Sequence, residues 1–152
     1  MVIHHFDDGA VAPDGCWDLL RSAVVGRLAV WSGDRPEIFP INYIVDRGTI
    51  VFRTAPGKKL DSAIGHQLLA FEADGYDTDS DLAWSVVVHG KAEMLTNFDE
   101  VVDASALPLF PWHPGAKGIF VRIVAEQLSG RAFSVVDPQV WGVWASSKPV
   151  VD

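Results

Sequence analysis

The stretch "RLAVWSGDRPEIFPINYIVDRGTIVFRT", residues 27–54, decides the fold. It holds three apolar, β-branched or aromatic runs, separated by Ser32-Gly33-Asp34 and by Asp46-Arg47-Gly48. Short runs of that composition, broken by turn-forming residues, read as a three-stranded antiparallel meander. Pro36 and Pro40 fall in the middle run. Because proline cannot donate to a ladder, they put that run at a sheet edge, at a bulge, or beside something that replaces the missing hydrogen bonds.

Upstream, "APDGCWDLLRSAVVG" spaces Cys16, Trp17, Leu19, Leu20 and Val24 as the apolar stripe of a short helix, with Asp14 as its N-cap and Gly26 as its stop. Downstream, "KKLDSAIGHQ" predicts two to three helical turns with Leu60 and Ile64 inward and Gly65 at the end. "LLAFEA" reads as a buried strand, "DGYDTDSD" as a polar loop, and "LAWSVVVHGKAEML" as a long strand. In "NFDEVVDASAL" Asn97 caps a helix, with Glu100 three residues later in a box-like pattern. "GIFVRIVAEQLSGRAF" is one long strand or a bent pair. Strands arrive in consecutive runs rather than in βαβ alternation, so the expected class is mainly β: about six antiparallel strands closing into a barrel, with short helices. No repeat interrupts this, and residues 1–152 are read as one domain whose segment 135–152 is an extended C-terminal tail.

A chain of 152 residues, 49% of them hydrophobic, can build one core without disulfides. Cys16 is the only cysteine, which points to a reducing compartment. A formal charge of −8 argues against nucleic acid and anionic membranes as partners, since both demand many Lys and Arg. The opening "MVIHHFDDGA" lacks a signal-peptide pattern, and no run approaches the ~20 apolar residues of a membrane span, so a cytoplasmic protein is expected.

Against that acidic background "FRTAPGKKLDSA", residues 52–63, is unusual. Lys58 and Lys59 occupy a predicted first helical turn, where cations oppose the helix dipole. An anion placed there removes the penalty and gains free backbone N–H groups. Gly57 allows close approach, and Arg53 and Thr54 at the strand end add a guanidinium fork and a hydroxyl. This is a phosphate corner without P-loop spacing. The duller alternative is a pair of solvated surface lysines.

The ordered segments "VGRLAV", "PEIFPINYIVDRGTIVFRTAPGKKLDSA", "LLAFEADGY" and "AWSVVVHGKAEML" resemble the pyridoxamine 5′-phosphate oxidase-like flavin-nucleotide-binding proteins, with a weaker echo at "IFVRIVAEQLSGRAF". The resemblance implies a six-stranded split barrel of Greek-key type and a homodimer that binds FMN in grooves between subunits. It implies that Arg53 and Thr54 face the flavin's phosphate and ribityl chain, and that Lys58 and Lys59 hold the phosphate. Pro40, Ile41, Asn42 and Tyr43 would run beside the isoalloxazine ring, and Trp84 and Ser85 would approach from the partner subunit. The tail "VVDPQVWGVWASSKPVVD" lacks the basic residues of true pyridoxamine phosphate oxidases, which speaks against that reaction. Related split barrels use the deazaflavin F420, so three readings stay open: an FMN-dependent oxidoreductase on a small or planar substrate, an F420-dependent reductase, and a non-catalytic carrier, sensor or interaction module.

The remaining motifs read more plainly. Asp77, Asp79 and Asp81 alternate like the start of a calcium loop, but Leu82 and Val88 stand where an EF-hand needs Gly and Glu, which leaves a solvated hairpin. His4, His5, His66, His89 and His113 have no metal-ligand spacing, and of these His89, at a strand end, is the one to test for proton transfer, against the plainer reading of a partly exposed bystander. Cys16 reads as a buried thiol, "PLFPWHPG" as a rigid connector, and Trp141 and Trp144 as lids over a neighbour or a flavin, or as barrel caps.

Overall fold

In the computed structural model, which describes residues 9–65, 67–109 and 118–135, the run from 35 to 46 forms two strands where one was expected. β2 (Arg35–Asn42) pairs with β1 (Val25–Ser32), whereas β3 (Ile44–Asp46) pairs with β4 (Thr49–Thr54). The break falls at Tyr43. Its ring is buried at 3% exposure, its hydroxyl donates to the Leu20 carbonyl at 2.6 Å, and its backbone N–H donates to the Val24 carbonyl at 3.1 Å. These bonds pull residue 43 out of the ladder, so the described residues form seven strands rather than six.

β5 (Leu69–Asp77), β6 (Leu82–Met94) and β7 (Ile119–Ser134) complete a sheet of order β2-β1-β5-β6-β7-β4-β3, in which every pairing is antiparallel. β2 and β3 are its two edges, yet only Tyr43 separates them in the chain. A flat sheet cannot bring its outermost strands together over one residue, so the sheet curls on itself as a split barrel. β2 is an edge strand, as its prolines require.

Alternate residues fill the interior: Leu28 and Val30 from β1, Ile50 and Phe52 from β4, Phe71 and Ala73 from β5, Val86 and Val88 from β6, and Val121 and Ile123 from β7. Helix α1 (Pro13–Arg21) adds Cys16, Leu19 and Leu20 at i, i+3 and i+4. Its N-cap is Ala12 rather than Asp14, because Pro13 at the first position needs no N–H partner; Asp14 instead lies in the first turn, where its charge suits the dipole. Gly26 does not end that helix. It lies within β1, where an added Cβ would stand 2.3 Å from the Phe71 ring and 2.8 Å from the Glu72 carbonyl oxygen.

Helix α3 (Phe98–Ser105) starts as expected, with the Asn97 side chain accepting from the Asp99 N–H at 2.9 Å. Ala104, Leu95 and Leu109 form a second small core with Val51 and Phe120. β4 is therefore covered on both faces, which explains its nearly continuous burial. At the β3–β4 turn, Arg122 of β7 donates to Asp46 Oδ2 at 3.0 Å and to Thr49 Oγ1 at 2.6 Å, tying the edge hairpin to the sheet. No helix among the described residues is long and apolar enough to cross a membrane. The expected tail from 136 to 152, with Trp141 and Trp144, lies outside the described residues, as do His4, His5, His66, His113 and most of "PLFPWHPG".

Candidate functional site

The strand-to-helix corner singled out in the sequence lies at the barrel's seam. β4 ends at Thr54, and after three intervening residues helix α2 (Lys58–Ala63) begins, burying Leu60 and Ala63. Gly57 is its N-cap with φ 152°, a conformation that side chains rarely adopt, and a Cβ added there would meet nothing within 4 Å. The space above this backbone is open. With only six residues α2 has a weak dipole, so any anion here is held mainly by side-chain cations.

Those cations point back to the edge strand. Lys58 Nζ donates to Glu37 Oε1 at 2.6 Å, and Lys59 Nζ stands 5.8 Å from the centroid of the Phe39 ring. Glu37 and Phe39 belong to β2, so the α2 start, the end of β4 and the open edge of the barrel meet at one place. The Lys58 hydrogen bond, reinforced by its charge, holds the Glu37 carboxyl below its ordinary pKa.

Arg53 and Thr54 diverge, as neighbours on a strand must. Thr54 turns inward, is 4% exposed, and donates its hydroxyl to the Ala55 carbonyl at 3.2 Å. Arg53 lies on the opposite face, its guanidinium carbon 5.0 Å from the centroid of Phe120. The segment Pro40-Ile41-Asn42-Tyr43 divides similarly. Ile41 and Tyr43 are core residues, the Asn42 amide nitrogen is buried, and Pro40 is exposed. Pro40, Ile41 and Asn42 lie on the edge strand, whose outer side pairs with no strand among the described residues, while the Tyr43 N–H is taken by the Val24 carbonyl.

Trp84 and Ser85 sit elsewhere. Trp84 pairs with Ala132 on β7, while Thr54 pairs with Ile119 of the same strand. At ~3.3 Å per residue that interval is about 40 Å of strand. The Trp84 indole lies against Gly75, at a groove of about 320 Å³ that Leu19, Ser22, Asp74 and Tyr76 also line. Ser85 borders a separate groove of about 260 Å³ with Val87, Ser129 and Arg131. Neither groove is lined by a residue of the Lys58 corner.

The other singled-out residues behave modestly. Asp77 accepts from the Asp79 N–H at 2.9 Å and Asp81 accepts from the Tyr76 hydroxyl at 3.1 Å, which makes this a self-bonded hairpin turn. His89 is exposed beside the β6 irregularity at His89/Gly90. Burial pushes the Cys16 thiol up, away from nucleophilic thiolate character. Sequence reasoning missed Glu37, Phe39 and Phe120. Only the alternation of Glu37 and Phe39 along an edge strand hinted that they share a face with something.

Comparison with known proteins agrees with the fold. Residues 12–132 match the family model described as pyridoxamine 5′-phosphate oxidase. A Corynebacterium glutamicum structure named as a candidate pyridoxamine 5′-phosphate oxidase is 40% identical, with a TM-score of 0.74 over 83% of this chain and 98% of that one. The structure of an FAD-binding protein from Mycobacterium smegmatis is 34% identical, with a TM-score of 0.72 over 83% and 98%. An uncharacterised Mycobacterium tuberculosis protein is 38% identical over 90 residues, 59% of this chain and 80% of that relative. With the matched span running from α1 into the last residues of β7 and covering well over half of the chain, this chain belongs to the pyridoxamine 5′-phosphate oxidase family.

Proposed function

We propose that the protein binds a flavin nucleotide, FMN or a close relative, with the phosphate at Lys58 and Lys59 and the ring along the open edge of β2. The observation that carries this reading is the meeting of open backbone at Gly57, two lysines and the unpaired β2 edge at a single seam. The donor set suits the group: ammonium donors for a phosphate, and edge-strand backbone for the heteroatoms of a planar ring. The FAD-binding relative supports a flavin in place of another phosphate ligand. Once bound, a flavin would supply hydride chemistry at its ring, and the chain's part is to hold the phosphate and to shape the space around the ring.

The same reading calls for two copies of the chain. In this reading Trp84 and Ser85 border the flavin from the partner, as the family resemblance implies, the pairing of Trp84 on β7 lying thirteen residues beyond that of Thr54. The test is titration of FMN, FAD, riboflavin and F420, followed by ligand fluorescence, with the assembly state measured by light scattering. Wild-type protein binds a flavin as a dimer. The Lys58→Ala/Lys59→Ala variant loses about 3–5 kcal/mol, more than a hundredfold in Kd, because each charged hydrogen bond is worth about 1.5–3 kcal/mol. Binding of F420 without any flavin would replace the cofactor in this reading, and binding of neither would refute it.

A further inference from the structure

We infer that Glu37 is a specificity-determining residue of the phosphate corner, one that disfavours a terminal phosphate monoester relative to a phosphodiester. The inference rests on the flavin reading above. Lys58 does not face the corner as a bare cation: its Nζ donates to Glu37 Oε1 at 2.6 Å. The lysine side chain is 62% exposed and the carboxylate 27%, so the pair lies where a ligand can reach it. Exposed pairs of this kind are weakly coupled, and a phosphate can take Lys58 over at little cost. The Glu37 backbone cannot leave, however, which keeps its carboxylate within side-chain reach of the corner. Glu37 sits within β2, in register with Val30 of β1, and its backbone is fixed by that ladder.

An anion bound to Lys58 therefore has a carboxylate for a neighbour. The repulsion scales with the charge on the phosphoryl group. A monoester such as FMN presents roughly −1.5 to −2 at neutral pH on one phosphorus. Each phosphoryl group of a diester or pyrophosphate diester carries a single charge, and FAD belongs to that class. Arg35, the only basic residue on β2, lies beside Asp34 at 3.1 Å and is partly neutralised by it. Glu37 thus penalises the monoester more.

The test is fluorescence titration of FMN, FAD and riboflavin against wild type, Glu37→Gln and Glu37→Ala, with melting curves to show that each variant is folded. In the wild type FAD binds more tightly than FMN. Both substitutions tighten FMN by roughly tenfold, improve FAD less, and leave riboflavin unchanged because it has no phosphate. An FMN-to-FAD affinity ratio equal in wild type and variants, or weaker FMN binding on removing Glu37, overturns the inference while leaving flavin binding intact. Failure of all three flavins to bind the wild type overturns the inference and the reading beneath it together.

Discussion

Replacing Tyr43 by Phe tests the feature that closes the barrel. The hydroxyl donates to the Leu20 carbonyl at 2.6 Å, and the ring meets Phe71 edge-on with centroids 4.8 Å apart. Phenylalanine keeps the ring packing and removes one buried hydrogen bond. The Leu20 carbonyl retains only a long contact from the Ala23 N–H at 3.4 Å, so the loss should approach that of a poorly satisfied buried acceptor. That is about 1–2 kcal/mol, or roughly 2–8 °C in Tm for a domain of this size. A second signature lies in pH. Burial, reinforced by the charge of Glu72, raises the Tyr43 pKa well above its ordinary value. The unfolded chain releases this proton near pH ~10, while the folded chain retains it. The hydroxyl's contribution is therefore complete below about pH 10 and is lost as pH climbs toward the folded value. The stability gap between wild type and Tyr43→Phe should be constant from pH 7 to 9 and narrow above 10. Paired thermal melts from pH 7 to 11 measure both effects. A Tm unchanged at pH 8, or a gap that persists undiminished to pH 11, would refute the claim that this bond holds the β2–β3 junction.

Two further outcomes follow from packing and charge. Gly26→Ala drives a methyl into the Phe71 ring and the Glu72 backbone, a cost of about 1–3 kcal/mol or more, read in the midpoint of urea unfolding. Arg122→Ala takes the 3.0 Å donor from Asp46, whose side chain is only 16% exposed, and leaves it Arg47 at 3.5 Å; about 1.5–3 kcal/mol should be lost, with faster amide exchange across residues 44–46 than elsewhere.

Much of the chain was legible from local pattern. The alternation in β1, β5 and β6, the Asn97 cap, and the prolines of β2 at a sheet edge depend on interactions within a few residues, and such interactions are written in order along the chain. The corner at 57–59 was visible for the same reason: two lysines after a glycine at a strand-to-helix turn are a local anomaly. Asp14 and Gly26 misled because their usual roles were overridden, one by Pro13 and the other by a phenylalanine 45 residues away.

What the sequence determined by itself was the class of the fold and the unusual placement of two lysines on which the proposed anion site rests, since periodicity and charge placement are properties of single elements. Tertiary structure alone decided that the run through Tyr43 divides between opposite sheet edges, because the carbonyl and ring that capture Tyr43 come from α1 and β5. It alone decided that Lys58 meets Glu37, 21 residues back in the chain, and that Trp84 packs against Gly75 in a groove shared with α1. Strand register and sheet closure set these distances, and both emerge only when every strand has found its neighbours.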